Sequence, residues 1–240
     1  MELALIQVPL IEIMEVLKSI PIRLDLEKVS KRLHLSQQSK HIEKTVQKLI
    51  EIARPIVKPK AIYEVSYVDN KNEDSLDISG VRFTSRVLRV NLDRVERVFP
   101  YVVTSGRELD EITVPADNVM RSFCLDTIKE VVLHSAVNYL KDHLKKSYAL
   151  AQLSMMNPGS LESWPITQQK QLFSIFGNVE DLIGVKLTES SVMVPTKSVS
   201  GIFFPTEIAF ESCQLCPREV CSERRAPYAP ELTRKYREKS

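Results

Sequence analysis

One apolar stripe constrains this chain more than any other feature. Leu125, Ile128, Val132, Ala136, Tyr139, Leu140 and Leu144 recur every three or four residues between about Ala116 and Ala149, which sets them on one face of a long α-helix. A helix of that length reaches about 45 Å. Its stripe needs a broad apolar partner, and the strand-like runs around it are the natural candidate. Lys60 to Val68 (KAIYEVSYV) sets Ile62, Val65 and Tyr67 among polar neighbours, a strand pattern. Asp69 to Asp74 is a polar turn, and Leu76 to Phe83 reads as the returning strand. Arg97 to Val103 is a further strand running into Thr104-Ser105-Gly106, with Ser105 and Glu108 spaced as a capping box for a short helix.

Ahead of these runs the pattern is helical. Pro9 to Ile20 reads as a short helix opened by Pro9. Asp25 is an N-cap candidate for Leu26, Val29 and Leu33. From Ser39, the residues Ile42, Val46, Leu49, Ile50 and Ala53 form a third stripe that Arg54-Pro55 closes. Helices and strands mix without a βαβ rhythm. The expected class is α+β: a mixed, mainly antiparallel twisted sheet packed by the long helix, with a small N-terminal helical unit. The expected division is 1–58 for that unit, 59–210 for the main domain and 211–240 for a basic, cysteine-containing tail.

Bulk properties exclude several classes. A net charge of +2 over 240 residues gives no broad basic field, so no nucleic-acid partner is expected. No run approaches the roughly 18 apolar residues that span a bilayer, and the N-terminus lacks the features of a secretory signal. The chain is expected in the cytoplasm, off the membrane, where its 4 cysteines are free thiols or metal ligands rather than disulfides. No P-loop, dinucleotide-binding, HExxH or nucleophile-elbow motif occurs. His134 and His143 share the long helix but are too far apart in sequence to form a metal pair.

The C-terminal half carries the distinctive motifs. Asn157-Pro158-Gly159-Ser160 is a turn-rich loop. Thr167 is a plausible cap for a helix through Leu172, Phe173 and Phe176, which Gly177 stops. Leu187 to Val194 (LTESSVMV) and Ser198 to Phe204 (SVSGIFF) are strand-like and flank Pro195-Thr196-Lys197, so they read as a β-hairpin. Gly201, inside the second strand, marks close approach of a backbone or ligand.

This order resembles the S-adenosylmethionine-binding reactivation domain of cobalamin-dependent methionine synthase: a Pro-Gly loop, a helix, GVKLTES, a proline turn, then SVSG and an aromatic pair. The resemblance is strongest over residues 157 to 205 and extends weakly back to Val137-Asn138-Tyr139-Leu140. It implies a reactivation-domain-like fold for 59–210. It also implies S-adenosylmethionine binding through Asn157, Pro158, Gly159, Ser200, Gly201 and Phe203. The methyl sulfonium would be held in line with the cobalt of a cobalamin carried by a partner. The implied role is a separate reactivation subunit. It would support reductive methylation of cob(II)alamin by S-adenosylmethionine, on a methionine synthase lacking its own such domain and with an electron donor protein. Three departures bear on that role. Met155 stands where the family has a carboxylate-binding arginine, and Phe203 replaces a tyrosine. The family's acidic residue on the long helix has His134 or Asn138 as its nearest counterpart.

Cys213, Cys216 and Cys221 follow as C-x2-C-x4-C. Thiolates at this density suit zinc or an iron–sulfur cluster, with Cys124 as a possible fourth ligand; structural or redox-sensing thiols are the other reading. Arg224 and Arg225 come next and suit phosphate or carboxylate recognition, or a solvated tail. Two other functions therefore stand beside the first: a docking module for a corrinoid protein that does not bind S-adenosylmethionine, and a metal or redox protein built on the cysteines.

Overall fold

The structure is a computed structural model that describes residues 13–35, 39–221 and 224–237. Its frame is strand β2 (Lys60–Lys71), which is long enough to pair with two partners along one edge. β1 (Ile13–Leu17) pairs with its first half, and β3 (Ser75–Ile78) pairs with its second. β4 (Val81–Thr84) extends β3. On the other edge of β2 lie β5 (Arg97–Thr104), β9 (Ser198–Pro205) and β6 (Leu153–Met156). The order is β4-β3-β2-β5-β9-β6, with β1 beside β2, in a 7-stranded sheet. Each ladder among these strands is antiparallel.

Alternation along the strands builds two cores. Ala61, Tyr63 and Val65 of β2 share one face with Phe99, Tyr101 and Val103 of β5 and Phe203 of β9. Ile62, Val98, Val102, Ile202 and Phe204 point to the other, as the two-residue strand period requires. Helix α4 (Val119–Ser147) covers the first face with Ala136, Leu140 and Leu144. Its earlier turns bury Leu125, Ile128 and Val132 against α1 (Leu26–Arg32) and α2 (Lys40–Ala53), through Val29, Val46, Leu49, Ile50 and Ala53. One continuous helix therefore serves two cores. The opposite face is closed by α3 (Arg86–Asn91), α5 (Gln169–Phe176), α6 (Val179–Ile183) and Trp164. α7 (Pro230–Arg237) is tied down where the Tyr236 hydroxyl donates to Asn91 Oδ1 at 2.9 Å.

The α+β architecture, antiparallel sheet and long helix agree with the sequence reading, and several local expectations are corrected. Ile13–Leu17 is a strand, not a helix, because its backbone finds partners on β2; residues 9–12 of that expected helix lie outside the described residues. The run from Leu76 to Phe83 is two strands. Ser79 and Gly80 both have positive φ, 47° and 75°, and make a tight hairpin turn between them. Ser105 caps no helix: its N–H donates to the Lys197 carbonyl, and a 3-10 turn begins only at Glu108. Thr167 lies inside a 3-10 turn before α5 rather than capping it. The hairpin expected around Pro195 closes earlier. β7 (Lys186–Leu187) and β8 (Met193–Val194) pair with each other. The Thr188 N–H and Oγ1 hold Val192 across the turn, which releases β9 into the main sheet.

Leu140 is fully buried where α4 meets the sheet. Leu140→Ala should lower the unfolding free energy by about 2–5 kcal/mol, with an unchanged denaturant slope. Urea titration followed by circular dichroism checks both values.

Candidate functional site

The site is built on the end of edge strand β6. There the chain leaves the sheet through Asn157 and turns at Gly159, whose φ of 83° is open to glycine. The Gly159 N–H donates to the Trp164 carbonyl at 2.7 Å, and the Ser160 N–H to the Asn157 carbonyl at 3.2 Å. A Cβ on Gly159 would meet the Ile166 side chain at 2.9 Å. The loop is therefore packed as well as turned.

Asn157 anchors the loop to the sheet. Its Nδ2 donates to the Ser200 carbonyl and to the Tyr101 hydroxyl, each at 2.7 Å. Gly201 lies opposite Tyr101 in the β5–β9 register. A Cβ on Gly201 would collide with Asn157 Nδ2 and the Met156 carbonyl, so the glycine is what lets the amide cross the strand. Burial raises the Tyr101 phenol from its ordinary value near 10 to about 12, while the Asn157 hydrogen bond and the charge of Arg225 pull it back down.

Beside this anchor is a cleft of about 360 Å³. Asn157, Pro158, Gly159 and Ser160 form one wall, Ile166 and Gln169 a second, and Met193, Val199 and Ser200 a third. Gln169 is 2% exposed. Its Nε2 donates to Ser200 Oγ at 2.8 Å, while its Oε1 has no hydrogen-bond partner among the described residues.

Asn157, Pro158, Gly159 and Ser200 are thus brought together on the cleft, with Gly201 behind Asn157. Phe203 is placed elsewhere. It is fully buried and stacked on Tyr101 at 4.4 Å between centroids, under α4. Met155 pairs with Phe203 and sets its sulfur 3.8 Å from the Tyr101 hydroxyl. His134 and Asn138 are exposed on α4, with His134 next to Glu130. The sequence reading missed Gln169, Ile166 and Met193. Nothing local in the sequence marked them, since their place on the cleft comes from how the 3-10 turn, α5 and β8 pack beside the loop.

The cysteine segment is organised by its backbone. The Arg224 guanidinium donates to the carbonyls of Cys213 at 3.3 Å and Cys216 at 3.4 Å, and the Arg224 N–H donates to the Cys221 carbonyl at 3.2 Å. All four cysteines are free. Cys124 sits in the α1–α2–α4 core, apart from the core that holds Leu215 of the cysteine segment, and burial raises its thiol. Among the described residues, no three His, Cys, Asp or Glu side chains are grouped to hold a metal ion. The metal site expected at Cys213, Cys216 and Cys221 is thus not assembled among the described residues; the Arg224 guanidinium holds the Cys213 and Cys216 carbonyls and its backbone N–H the Cys221 carbonyl. No helix among the described residues is long and apolar enough to cross a membrane.

Residues 157–212 match the family "Vitamin B12 dependent methionine synthase, activation domain". That window is under half of the chain, yet it holds all three walls of the cleft. A crystal structure described as the MetH reactivation domain bound to AdoHcy is similar in fold. Its TM-score is 0.59 at 15% identity, over 83% of this chain and 81% of that one. No curated protein matches the sequence at a significant level. The segment match and the fold together bear out the resemblance to the reactivation domain.

Gly201→Ala should cost about 1–3 kcal/mol through overpacking at the Asn157 crossing, measurable by urea titration. Tyr101 predicts an alkaline loss. The unfolded phenol ionises near pH 10 and the folded one near 12. Its stabilising contribution is therefore complete below pH 10 and falls away as pH rises toward 12. Tyr101→Phe should flatten that part of the stability–pH curve.

Proposed function

We propose that this chain holds S-adenosylmethionine in the cleft beside Asn157. From there it supports reductive methylation of cob(II)alamin on a cobalamin-carrying methionine synthase, acting as a separate subunit for an enzyme without this domain. The observation that carries the reading is the activation-domain match over 157–212, because that stretch supplies every wall of the cleft. The AdoHcy bound to the fold relative is the demethylated product of the proposed methyl donor.

The residues present fit the nucleoside part of such a ligand. The cleft is small-molecule sized. Ile166, Met193 and Val199 give it apolar surface, and Asn157, Ser160, Gln169 and Ser200 set polar side chains around it. What this chain would contribute is position: a ligand held in one orientation meets a docked corrinoid as an intramolecular partner. The cobalamin supplies the redox chemistry at cobalt, and a low-potential donor protein supplies the electron. Val119, Met120 and Phe123 are exposed at the start of α4. The Lys197–Asp126 ion pair, at 2.8 Å, ties that end of the helix to the turn leading into β9. An exposed apolar surface there supports a docking role.

The test is anaerobic reconstitution. The protein is mixed with S-adenosylmethionine, a low-potential reductant and a cobalamin-loaded methionine synthase fragment lacking its own reactivation domain. The visible spectrum should pass from cob(II)alamin to methylcobalamin only when this protein is present. A spectral shift on mixing without conversion would replace the reading with a non-catalytic docking module. No change of either kind would end the corrinoid reading altogether.

A further inference from the structure

The three tail cysteines serve neither the cleft nor a metal site, yet two of them share one turn. Cys213 lies in the 3-10 turn Ser212–Leu215, and Cys216 follows directly as its cap. The Cys216 N–H donates to the Cys213 carbonyl at 3.2 Å. A turn closed by that bond holds its end Cα atoms less than about 7 Å apart, and a disulfide spans roughly 4.4–6.8 Å. Residues three apart also sit above one another in a 3-10 turn. The turn is held from several directions. Glu211 and Gln214 cap it reciprocally, and the Arg224 guanidinium binds the carbonyls of both cysteines. The Arg225 N–H donates to Cys213 Sγ at 3.5 Å, and the Ala229 N–H to the Gln214 carbonyl at 2.9 Å. Leu215 anchors the turn in the core that holds Met156 and Phe204. Cys213 and Cys216 are both half-buried free thiols, whereas Cys124 is buried in another core.

We propose that Cys213 and Cys216 form a reversible dithiol–disulfide site whose substrate is a low-molecular-weight disulfide such as glutathione disulfide. The inference is independent of the S-adenosylmethionine reading. One thiolate of the pair attacks a sulfur of the small disulfide, forming a mixed disulfide and releasing one small thiol. The second attacks the protein sulfur of that mixed disulfide, closing the Cys213–Cys216 bond and releasing the other small thiol. Two protein thiols are oxidised, the small disulfide is reduced to two thiols, and the protein's two thiol protons end on them. Excess small thiol runs the same steps backwards. Cys221 stays a free thiol. It belongs to a separate turn, in which its carbonyl accepts the Arg224 N–H at 3.2 Å.

The full reduced chain is incubated anaerobically with glutathione disulfide, quenched with acid, alkylated and digested with trypsin. Cys213 and Cys216 fall in one tryptic peptide, residues 198–218, while Cys124 and Cys221 fall in two others. The 198–218 peptide should lose two hydrogens, and thiols titrated in the denatured protein should fall from four to two. Reduced glutathione should restore both. In a fixed glutathione buffer, the ratio of closed to open pair should be about tenfold higher for the folded chain than in urea, because a cross-link that suits the native turn favours the folded state. In Cys213→Ser and in Cys216→Ser, the mixed disulfide with glutathione should persist on the remaining cysteine, and thermal melting reports whether each variant folds. The measurements on the unmodified protein do not depend on that. Thiols that stay at four, or a bond from either cysteine to Cys221, would overturn the proposal. So would a closed-to-open ratio no higher in the folded chain than in urea.

Discussion

The candidate site depends on one crossing, where the Asn157 amide passes over β9 at Gly201. The β5–β9 register sets Gly201 against Tyr101, and the missing Cβ leaves room for Asn157 Nδ2 to reach both the Tyr101 hydroxyl and the Ser200 carbonyl. Shift the register by one residue and every side chain of β9 changes face. Ser200 would turn from the cleft, and the loop after β6 would lose its anchor. The 157–160 loop, the start of α5 and the start of β8 all gather around this crossing. The cleft is thus a by-product of how an edge strand is joined to its neighbour.

Much of the frame was legible because it is local. The stripe on α4 and the stripe on α2 are periodic in the sequence and buried in the structure, except for exposed Tyr139 at the edge of one and half-buried Ile42 at the start of the other. The Asp25 cap is present, accepting from the Glu27 N–H. What failed was decided by distant partners. Ile13–Leu17 has apolar residues that suit either period, and only β2 makes it a strand. Ser105 has the spacing of a capping box, but its N–H is already taken by Lys197. The LTES turn was hidden because no glycine or proline marks it; Ser191 adopts a φ of 62° without either.

The site itself was half legible. Asn157, Pro158, Gly159, Ser200 and Gly201 stood out through turn chemistry and resemblance, whereas Phe203 was assigned by resemblance alone. Strand parity argues against it: Ile202 and Phe204 share a core opposite Phe203, and Phe203 is spent on stacking with Tyr101. Gln169 was invisible for the opposite reason. A glutamine early in a helix is ordinarily solvent-facing, and nothing local reveals that this one is buried against Ser200. The cysteine spacing carried no signal of backbone hydrogen bonding, so the tie of the Cys213 and Cys216 carbonyls to Arg224 was not legible in it.

Helix α4 joins two cores end to end, the α1–α2 packing around Ile128 and Val132 and the sheet packing around Leu140 and Leu144. A continuous helix resists bending at its midpoint, because each turn shares hydrogen bonds with the next. The two cores are therefore coupled mechanically as well as by adjacency. A tilt imposed on the first turns of the rod, as a bound partner could impose it, moves its last turns in the opposite sense about the pivot. Those last turns rest on Tyr63 and Phe99, on the face of the sheet that also carries Tyr101. The rod thus offers a lever of more than seven helical turns between one end of the molecule and the sheet that anchors the cleft.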